Sequence, residues 1–241
     1  MNVYIFDVDG TLTPSRQPMT KDFYGFLKDW LTDKTVFLVT GSDYEKIEEQ
    51  IPSDILSNIK GVFTCMGNEY REGNNILYSN KFEKPEELTE DLMEFMNDSM
   101  FPIRAGNHFE ERVGMLNYSI VGRDCTLDER ERYHLYDIKT GERELISKWL
   151  NLKYNGKIEV AIGGEISLDI FNTGKDKSQV VPYLAEKYLQ EDAFISFYGD
   201  KISEGGNDHA LVKALERSSY KTRITGVSNY LDTWKDLQMQ E

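Results

Sequence analysis

The chain has 241 residues, a formal net charge of −14 and two cysteines, Cys65 and Cys125, with no CxxC or Cys/His spacing. A chain of this length forms one large domain or two modest ones with a sizeable core, and the cysteine pattern argues against a disulfide framework or structural zinc and suits a reducing compartment. The acidic balance repels a phosphate backbone, so no nucleic-acid partner is expected; with no leader pattern and no run of roughly eighteen apolar residues, neither is a membrane, and the expected location is cytoplasmic.

The first predicted strand is Val3-Tyr4-Ile5-Phe6, a continuous apolar run of the kind covered on both faces of a sheet. Phe23, Phe26, Leu27 and Trp30 then share one face of a helix over 21–31, with Thr20 as its expected cap. A second apolar strand covers 35–39 and ends at Thr40-Gly41-Ser42-Asp43, which opens a helix carrying Ile47 and Ile51. Gly61-Val62-Phe63-Thr64 reads as a third strand. Strands alternating with helices imply βαβ units and a parallel sheet.

Near Ser79 the rhythm changes. An acidic amphipathic helix is predicted over 86–96, an alternating antiparallel strand over 114–121, and one or two charged helices over 127–150. Strands over 158–162 and 166–171 flank Gly163-Gly164, a hairpin signal. From Lys175 the earlier rhythm returns: a helix over 178–188, a strand over 194–198, helices around 210–215 and 229–237, and a strand near Thr222. The expected class is α/β, a doubly wound, Rossmann-like parallel-sheet core (1–79 and 175–241) with an inserted α+β module over 80–174.

Asp7-Val8-Asp9-Gly10-Thr11 follows the first strand directly. In parallel α/β sheets ligands bind beyond the carboxyl ends of the strands. Two carboxylates there, turned into one pocket at Gly10, offer the oxygen ligands that Mg²⁺ prefers, with a phosphate completing its shell. The plainer alternative is an Asp-Gly surface turn. Gly199-Asp200-Lys201 again follows an apolar strand, with Gly205-Gly206-Asn207-Asp208 a few residues on. Alone this loop is as much a turn as a site; paired with the first motif it reads as a metal corner. Thr40 or Ser42 could donate a hydroxyl to a phosphate oxygen, and Lys177 could neutralise the transferring group, which is most of what phosphoryl transfer needs.

These four stations, in this order, resemble the haloacid dehalogenase superfamily. Asp7 to Gln17, Arg112-Val113-Gly114-Met115-Leu116-Asn117, Gly122-Arg123, Asp128-Glu129-Arg130 and Gly163-Gly164-Glu165-Ile166-Ser167-Leu168-Asp169 are similar to the eukaryotic-type phosphomannomutase family, and the similarity spans nearly the whole chain. The resemblance implies a core with an α/β cap of the C2b type and interconversion of mannose 6-phosphate and mannose 1-phosphate. A sugar-phosphate phosphatase on the same scaffold is the alternative. It further implies Asp7 as nucleophile, Asp9 as general acid/base, and Mg²⁺ held by Asp7, the Asp9 carbonyl and Asp200, with Asn207 and Asp208 nearby. Arg16, Arg112, Asn117, Arg123, Arg130, Ser167 and Asp169 would bind a hexose phosphate, a hexose 1,6-bisphosphate would act as activator, and a homodimer could form through the cap. The arginines supply the local cations that so acidic a chain needs to hold a phosphate ester.

The sequence also departs from the family pattern. Val212-Lys213-Ala214-Leu215 stands where a second cation site is expected. Cys65-Met66-Gly67 replaces Glu-Asn-Gly, Lys175 replaces Trp, Glu165 replaces Gln, and Thr40 replaces Gly.

Overall fold

Residues 1–240 are described by a computed structural model. The chain runs through β1 (Asn2–Phe6), α1 (Lys21–Trp30), β2 (Thr35–Val39), α2 (Tyr44–Gln50), α3 (Ser53–Leu56), β3 (Gly61–Thr64), β4 (Glu69–Glu72) and β5 (Asn75–Ser79). It continues through α4 (Leu88–Asp98), β6 (Phe109–Arg112), β7 (Met115–Tyr118), α5 (Leu127–Thr140), α6 (Glu142–Lys153), β8 (Ile158–Gly163) and β9 (Ser167–Asn172). The last elements are α7 (Val180–Lys187), β10 (Phe194–Gly199), α8 (His209–Arg217), β11 (Lys221–Gly226) and α9 (Tyr230–Gln238).

The larger sheet has the order β11-β10-β1-β2-β3-β4-β5, parallel from β11 to β3 and antiparallel beyond. Its central strands are apolar on both faces because both faces are covered. Tyr4 and Phe6 pack with Trp30, Leu38 and Ile47 on one side, while Ile5, Phe37 and Phe197 pack with Val180, Leu184 and Leu211 on the other. Side chains alternate across a strand, so each short run serves two cores at once.

Strands β6-β7-β9-β8 form a second, antiparallel sheet under α4, α5 and α6, with its own apolar core around Leu92, Leu116, Tyr133, Ile146 and Ile170. The two sheets meet where Cys65 and Met66 pack against Met115 and Phe171. Cys65 and Met66 are both left-handed (φ 50 and 63), strain that their burial in this joint holds in place. The Ile162 N–H donates to the Gly205 carbonyl at 3.0 Å, tying β8 to the loop before α8.

Several local expectations are revised. The Thr20 hydroxyl makes no capping bond, and α1 tightens into a 3-10 turn over Leu31–Asp33. The strand expected over 114–121 is the second half of a hairpin: Val113-Gly114 is its turn, Arg112 pairs with Met115, and β7 covers only Met115–Tyr118. The hairpin β4–β5 was not anticipated, since its residues lack an apolar alternation and Ile76 and Leu77 are exposed. The charged stretch over 127–150 is two helices, parted by left-handed Gly141 (φ 67).

Candidate active site

β10 and β2 flank β1, so the residues after these three strands converge at one edge of the sheet. Asp7, Asp200 and Asp208 bring one carboxylate oxygen each to within 4.8 Å of one another. Gly10 makes room for this: its φ is +80, and a Cβ there would lie 2.8 Å from Asp200 Oδ2. Beneath the cluster the wholly buried Lys177 donates from Nζ to Asp7 Oδ1 at 2.8 Å and to Asp208 Oδ1 at 2.6 Å.

Burial raises the Asp7 carboxyl well above its ordinary range, and Asp208 and Asp200 push the same way, against Lys177. Burial, then Asp208, lifts Asp200 to about 6. Burial pulls the Lys177 ammonium down, but Asp208 and Asp7 outweigh it and leave its pKa raised. Three carboxylates face the buried Lys177 ammonium, with Lys201 Nζ 3.7 Å from Asp200 Oδ2 at the outer side, so negative charge remains in excess. A divalent cation with oxygen ligands answers that imbalance. Asn207 adds a buried Oδ1 with no hydrogen-bond partner, an acceptor without a donor beside an all-oxygen set. The residues fit a metal ion.

This arrangement sets a pH dependence. In chelated protein the folded pKa values of Asp7 and Asp200 exceed the unfolded ones. Between the two values the folded state holds more protons, so this stabilising term is lost as pH rises through the folded pKa, for Asp200 from about 4 through about 6. The Asp200 shift corresponds to something on the order of 2–3 kcal/mol. A saturating divalent cation is therefore expected to raise Tm more at about pH 7.5 than at about pH 5. Equal gains at the two pH values, in melts with and without chelator, would count against a cation at this cluster.

The Asp9 carboxylate stands outside the acidic cluster. Its Oδ1 accepts from the Arg16 N–H at 2.6 Å and from Gln50 Nε2 at 2.9 Å, and its Oδ2 accepts from Ser42 Oγ at 3.2 Å. Two acids one residue apart are thus placed in different surroundings, the usual way to give a pair of carboxyls different tasks. Thr40 Oγ1 accepts from the Ser42 N–H at 3.0 Å, which leaves its own proton uncommitted, whereas the Ser42 hydroxyl is directed to Asp9.

Asp7, Asp9, Thr40, Ser42, Asp200 and Asn207 line one end of a cavity of about 370 Å³. Arg16, Arg112, Asn117, Arg123, Arg130, Ser167 and Asp169 line the remainder, so the cavity joins residues of both sheets. Lys177 and Asp208 lie behind its wall. Arg112 Nη1 donates to the Gly41 carbonyl at 2.7 Å across the junction between the sheets. Its Nε is buried without a partner among the described residues. Arg123 Nη1 donates to Ser167 Oγ at 2.9 Å, and Asn117 Nδ2 to Asp169 Oδ1 at 2.7 Å. Arg130 Nη1 is 3.6 Å from Glu165 Oε2. Burial lowers the pKa of the Arg16 guanidinium, and Arg130 and Arg112 lower it further, a mark of crowded positive charge. Burial raises the Asp169 carboxyl, opposed by Arg112.

Three residues of this site were not anticipated. Gln50 holds Asp9. Glu110 Oε2 accepts from Arg112 Nη2 at 2.9 Å and Arg123 Nη2 at 2.5 Å, so one carboxylate gathers both guanidiniums. Glu110 and Arg112 lie two apart on β6, on the same face, and the period of two was the available signal. Buried Arg143 pairs with Asp137 at 2.8 Å and donates to the carbonyls of Gly163, Gly164 and Ser167, which fixes the loop carrying Glu165.

The sheet order, the acidic strand ends and the inserted second sheet define a haloacid dehalogenase fold with a cap. A haloacid dehalogenase-like hydrolase from Bacteroides thetaiotaomicron superposes with a TM-score of 0.60 at 14% identity, covering 100% of this chain and 99% of that one. The C-terminal domain of a trehalose-6-phosphate phosphatase from C. albicans gives a TM-score of 0.67 at 16% identity, covering 99% and 91%. Within that superfamily the chain belongs to the eukaryotic phosphomannomutase family, whose family model matches residues 23–238. A probable phosphomannomutase of Caenorhabditis elegans is 34% identical over 220 residues, 87% of this chain and 85% of the relative.

Proposed function

We propose that this chain is a phosphomannomutase, interconverting mannose 6-phosphate and mannose 1-phosphate through an aspartyl phosphate. The observation that carries the reading is the single cavity with an acidic, metal-fitting end and an arginine-lined end. A carboxylate oxygen of Asp7 attacks the phosphorus of a hexose 1,6-bisphosphate and the phosphorus–sugar oxygen bond breaks. Asp9 delivers a proton to the departing sugar oxygen. To re-form the bisphosphate, Asp9 takes the proton of the free hydroxyl of an incoming hexose monophosphate, that oxygen attacks the phosphorus of the aspartyl phosphate, and the Asp7 carboxylate leaves. Lys177 and the Thr40 hydroxyl stabilise charge on the transferring group. Mg²⁺, held by Asp7, the Asp9 carbonyl, Asp200 and Asn207, with Asp208 behind, would supply further charge neutralisation on the phosphoryl oxygens.

The residues of the second sheet, 80–174, act as the cap. Between its formation and the next transfer to Asp7 the bisphosphate must turn end over end, and the far pocket must hold either phosphate. Arg16, Arg112, Arg123 and Arg130 suit this, since guanidinium reads phosphate in two-point fashion whatever sugar carbon bears it. The second reading, a sugar-phosphate phosphatase, is favoured by one observation, Thr40 in place of the family's glycine.

The two readings separate by phosphorus NMR. With Mg²⁺ and a trace of hexose 1,6-bisphosphate, mannose 1-phosphate is expected to become mannose 6-phosphate; release of inorganic phosphate alone would establish the phosphatase. Arg123→Ala removes one charged hydrogen-bonding partner of the distal phosphate. It is expected to raise the mutase KM about 10–100-fold, and to increase the hydrolysed fraction of turnovers. An unchanged KM and partition would remove Arg123 from the substrate site.

No helix among the described residues is long and apolar enough to cross a membrane, and a cytoplasmic location is part of the proposal. So is a homodimer: Leu135 and Ile138 on α5 and Leu145 and Leu152 on α6 are exposed, and a second copy covering them would double the mass seen by light scattering.

A further inference from the structure

We infer that His134 is a further substrate-binding residue, donating a hydrogen bond to the phosphate held at the arginine end of the cavity; the inference rests on the proposed hexose-phosphate reading. His134 lies four residues beyond Arg130 on α5, hence on the same helix face. Both line the main cavity, and both line a second cavity that adjoins it together with Arg16, Arg123 and Glu165.

The His134 Nδ1 is buried and has no hydrogen-bond partner among the described residues. Polar atoms so placed are ordinarily partnered, and the missing partner of a side chain that lines a binding cavity points to a group that arrives with the ligand. An imidazole has a donor on one ring nitrogen in either tautomer. Flanked by guanidiniums, it meets the anionic end of the substrate. Glu165 sharpens the case. Its carboxylate stands 3.6 Å from Arg130 Nη1 and takes up part of the positive charge meant for phosphate. A hydrogen-bond donor on the adjoining helix turn restores a contact to the phosphate.

The α5 scaffold gives His134 a fixed direction. Thr126 and Glu129 form a reciprocal cap at the helix start, and Gly141 ends it. The side chain therefore does not depend on a loop for its placement.

The chain has three histidines, so the imidazole resonances are few, and the one missing from His134→Asn identifies it. The enzyme is treated with Mg²⁺ and beryllofluoride to fill the Asp7 end, and mannose 6-phosphate is added. The expected result is a shift of the His134 resonance that mannose alone, at the same concentration, does not give. In kinetics His134→Ala is expected to raise KM about tenfold while kcat changes by less than about twofold, and His134→Asn, which keeps a donor, to recover most of the loss. A His134 resonance unmoved by saturating mannose 6-phosphate, or moved equally by mannose, overturns the inference. So does a KM in His134→Ala equal to that of the unaltered protein, with folding verified by its melting curve. Mutase turnover followed on the same protein without beryllofluoride keeps the two readings apart: turnover with a silent His134 sinks only this inference, and a responsive His134 without turnover sinks only the mutase.

Discussion

Asp7→Asn is expected to lose phosphoryl transfer by at least about 10⁴-fold, the scale on which removing a nucleophile acts. The same substitution is expected to stabilise the chelated protein near neutral pH. Asparagine is nearly isosteric and carries no charge, and the Asp7 carboxylate is disfavoured by burial and by Asp208 and Asp200. Lys177 keeps its bond to Asp208 at 2.6 Å, so the ammonium is not orphaned. Activity and stability therefore move in opposite directions, as they do where a site stores unfavourable charge for a ligand. The gain in Tm given by Mg²⁺ should shrink, because one of its anionic ligands has gone. Asp9→Asn separates from this. Its carboxylate is outside the acidic cluster, so the Mg²⁺-dependent gain in Tm should persist. Acetyl phosphate, whose leaving group needs little protonation, should still label Asp7. Acid-quenched labelling from radioactive acetyl phosphate reads both variants. Label on Asp7→Asn equal to the unaltered protein would place the nucleophile elsewhere.

Much of the larger sheet was legible because its strands announce themselves. β1, β2 and β10 are short apolar runs, and a run apolar at every position has to be covered on both faces. Asp7 and Asp200 were legible for the same reason, as the first acids after such runs. The hairpin β4–β5 was not. Its sequence lacks alternation, and it is a strand pair because β3 offers an edge to it, which is tertiary information. Lys177 and Asp208 taken singly look like any surface charge in the sequence; their place beside the other strand-end motifs suggested them, but their complete burial and mutual contact are tertiary information. Gln50 shows the limit most clearly. It is the last residue of α2, where a polar side chain normally faces water. Its carbonyl instead accepts from the Met19 N–H at 2.8 Å, which draws the chain after Asp9 against the helix end, and its amide reaches Asp9. Nothing in residues 44–50 alone encodes that approach.

The proposed distinction between mutase and phosphatase likewise rests on residues far apart in sequence. Arg112, on β6, reaches Gly41 at the end of β2, and Glu110 binds Arg112 to Arg123. A cap that closes on this link brings the far phosphate pocket over the aspartyl phosphate and keeps water out. On the proposed function, the acidic end would set what bond is made, and the arginine end would decide whether a sugar hydroxyl or water receives the phosphoryl group.

Lys177→Met tests the electrostatic foundation of the acidic end. The lysine is fully buried with two carboxylates on its ammonium. Removing it leaves Asp7 and Asp208 with no buried counter-charge, and only the half-exposed Lys201, 3.7 Å from Asp200 Oδ2, near the cluster. Breaking a buried pair from one side costs about 3–5 kcal/mol, because the partner stays buried and uncompensated. In a chain of this size that corresponds to a fall in Tm on the order of 10 °C. Activity should fall about 10²–10³-fold through the lost charge stabilisation. Two further measurements tie the loss to charge rather than to packing. Lowering pH should recover stability in Lys177→Met, since protonating the carboxyls removes the repulsion that the lysine had balanced. Adding Asp208→Asn should also recover it, so the double variant is expected to be more stable than the sum of the single losses, with a coupling of about 1–3 kcal/mol. A Lys177→Met protein that melts with the unaltered one, or whose loss is the same at about pH 5 and about pH 7.5, would mean that the buried ammonium is not what holds the three carboxylates together.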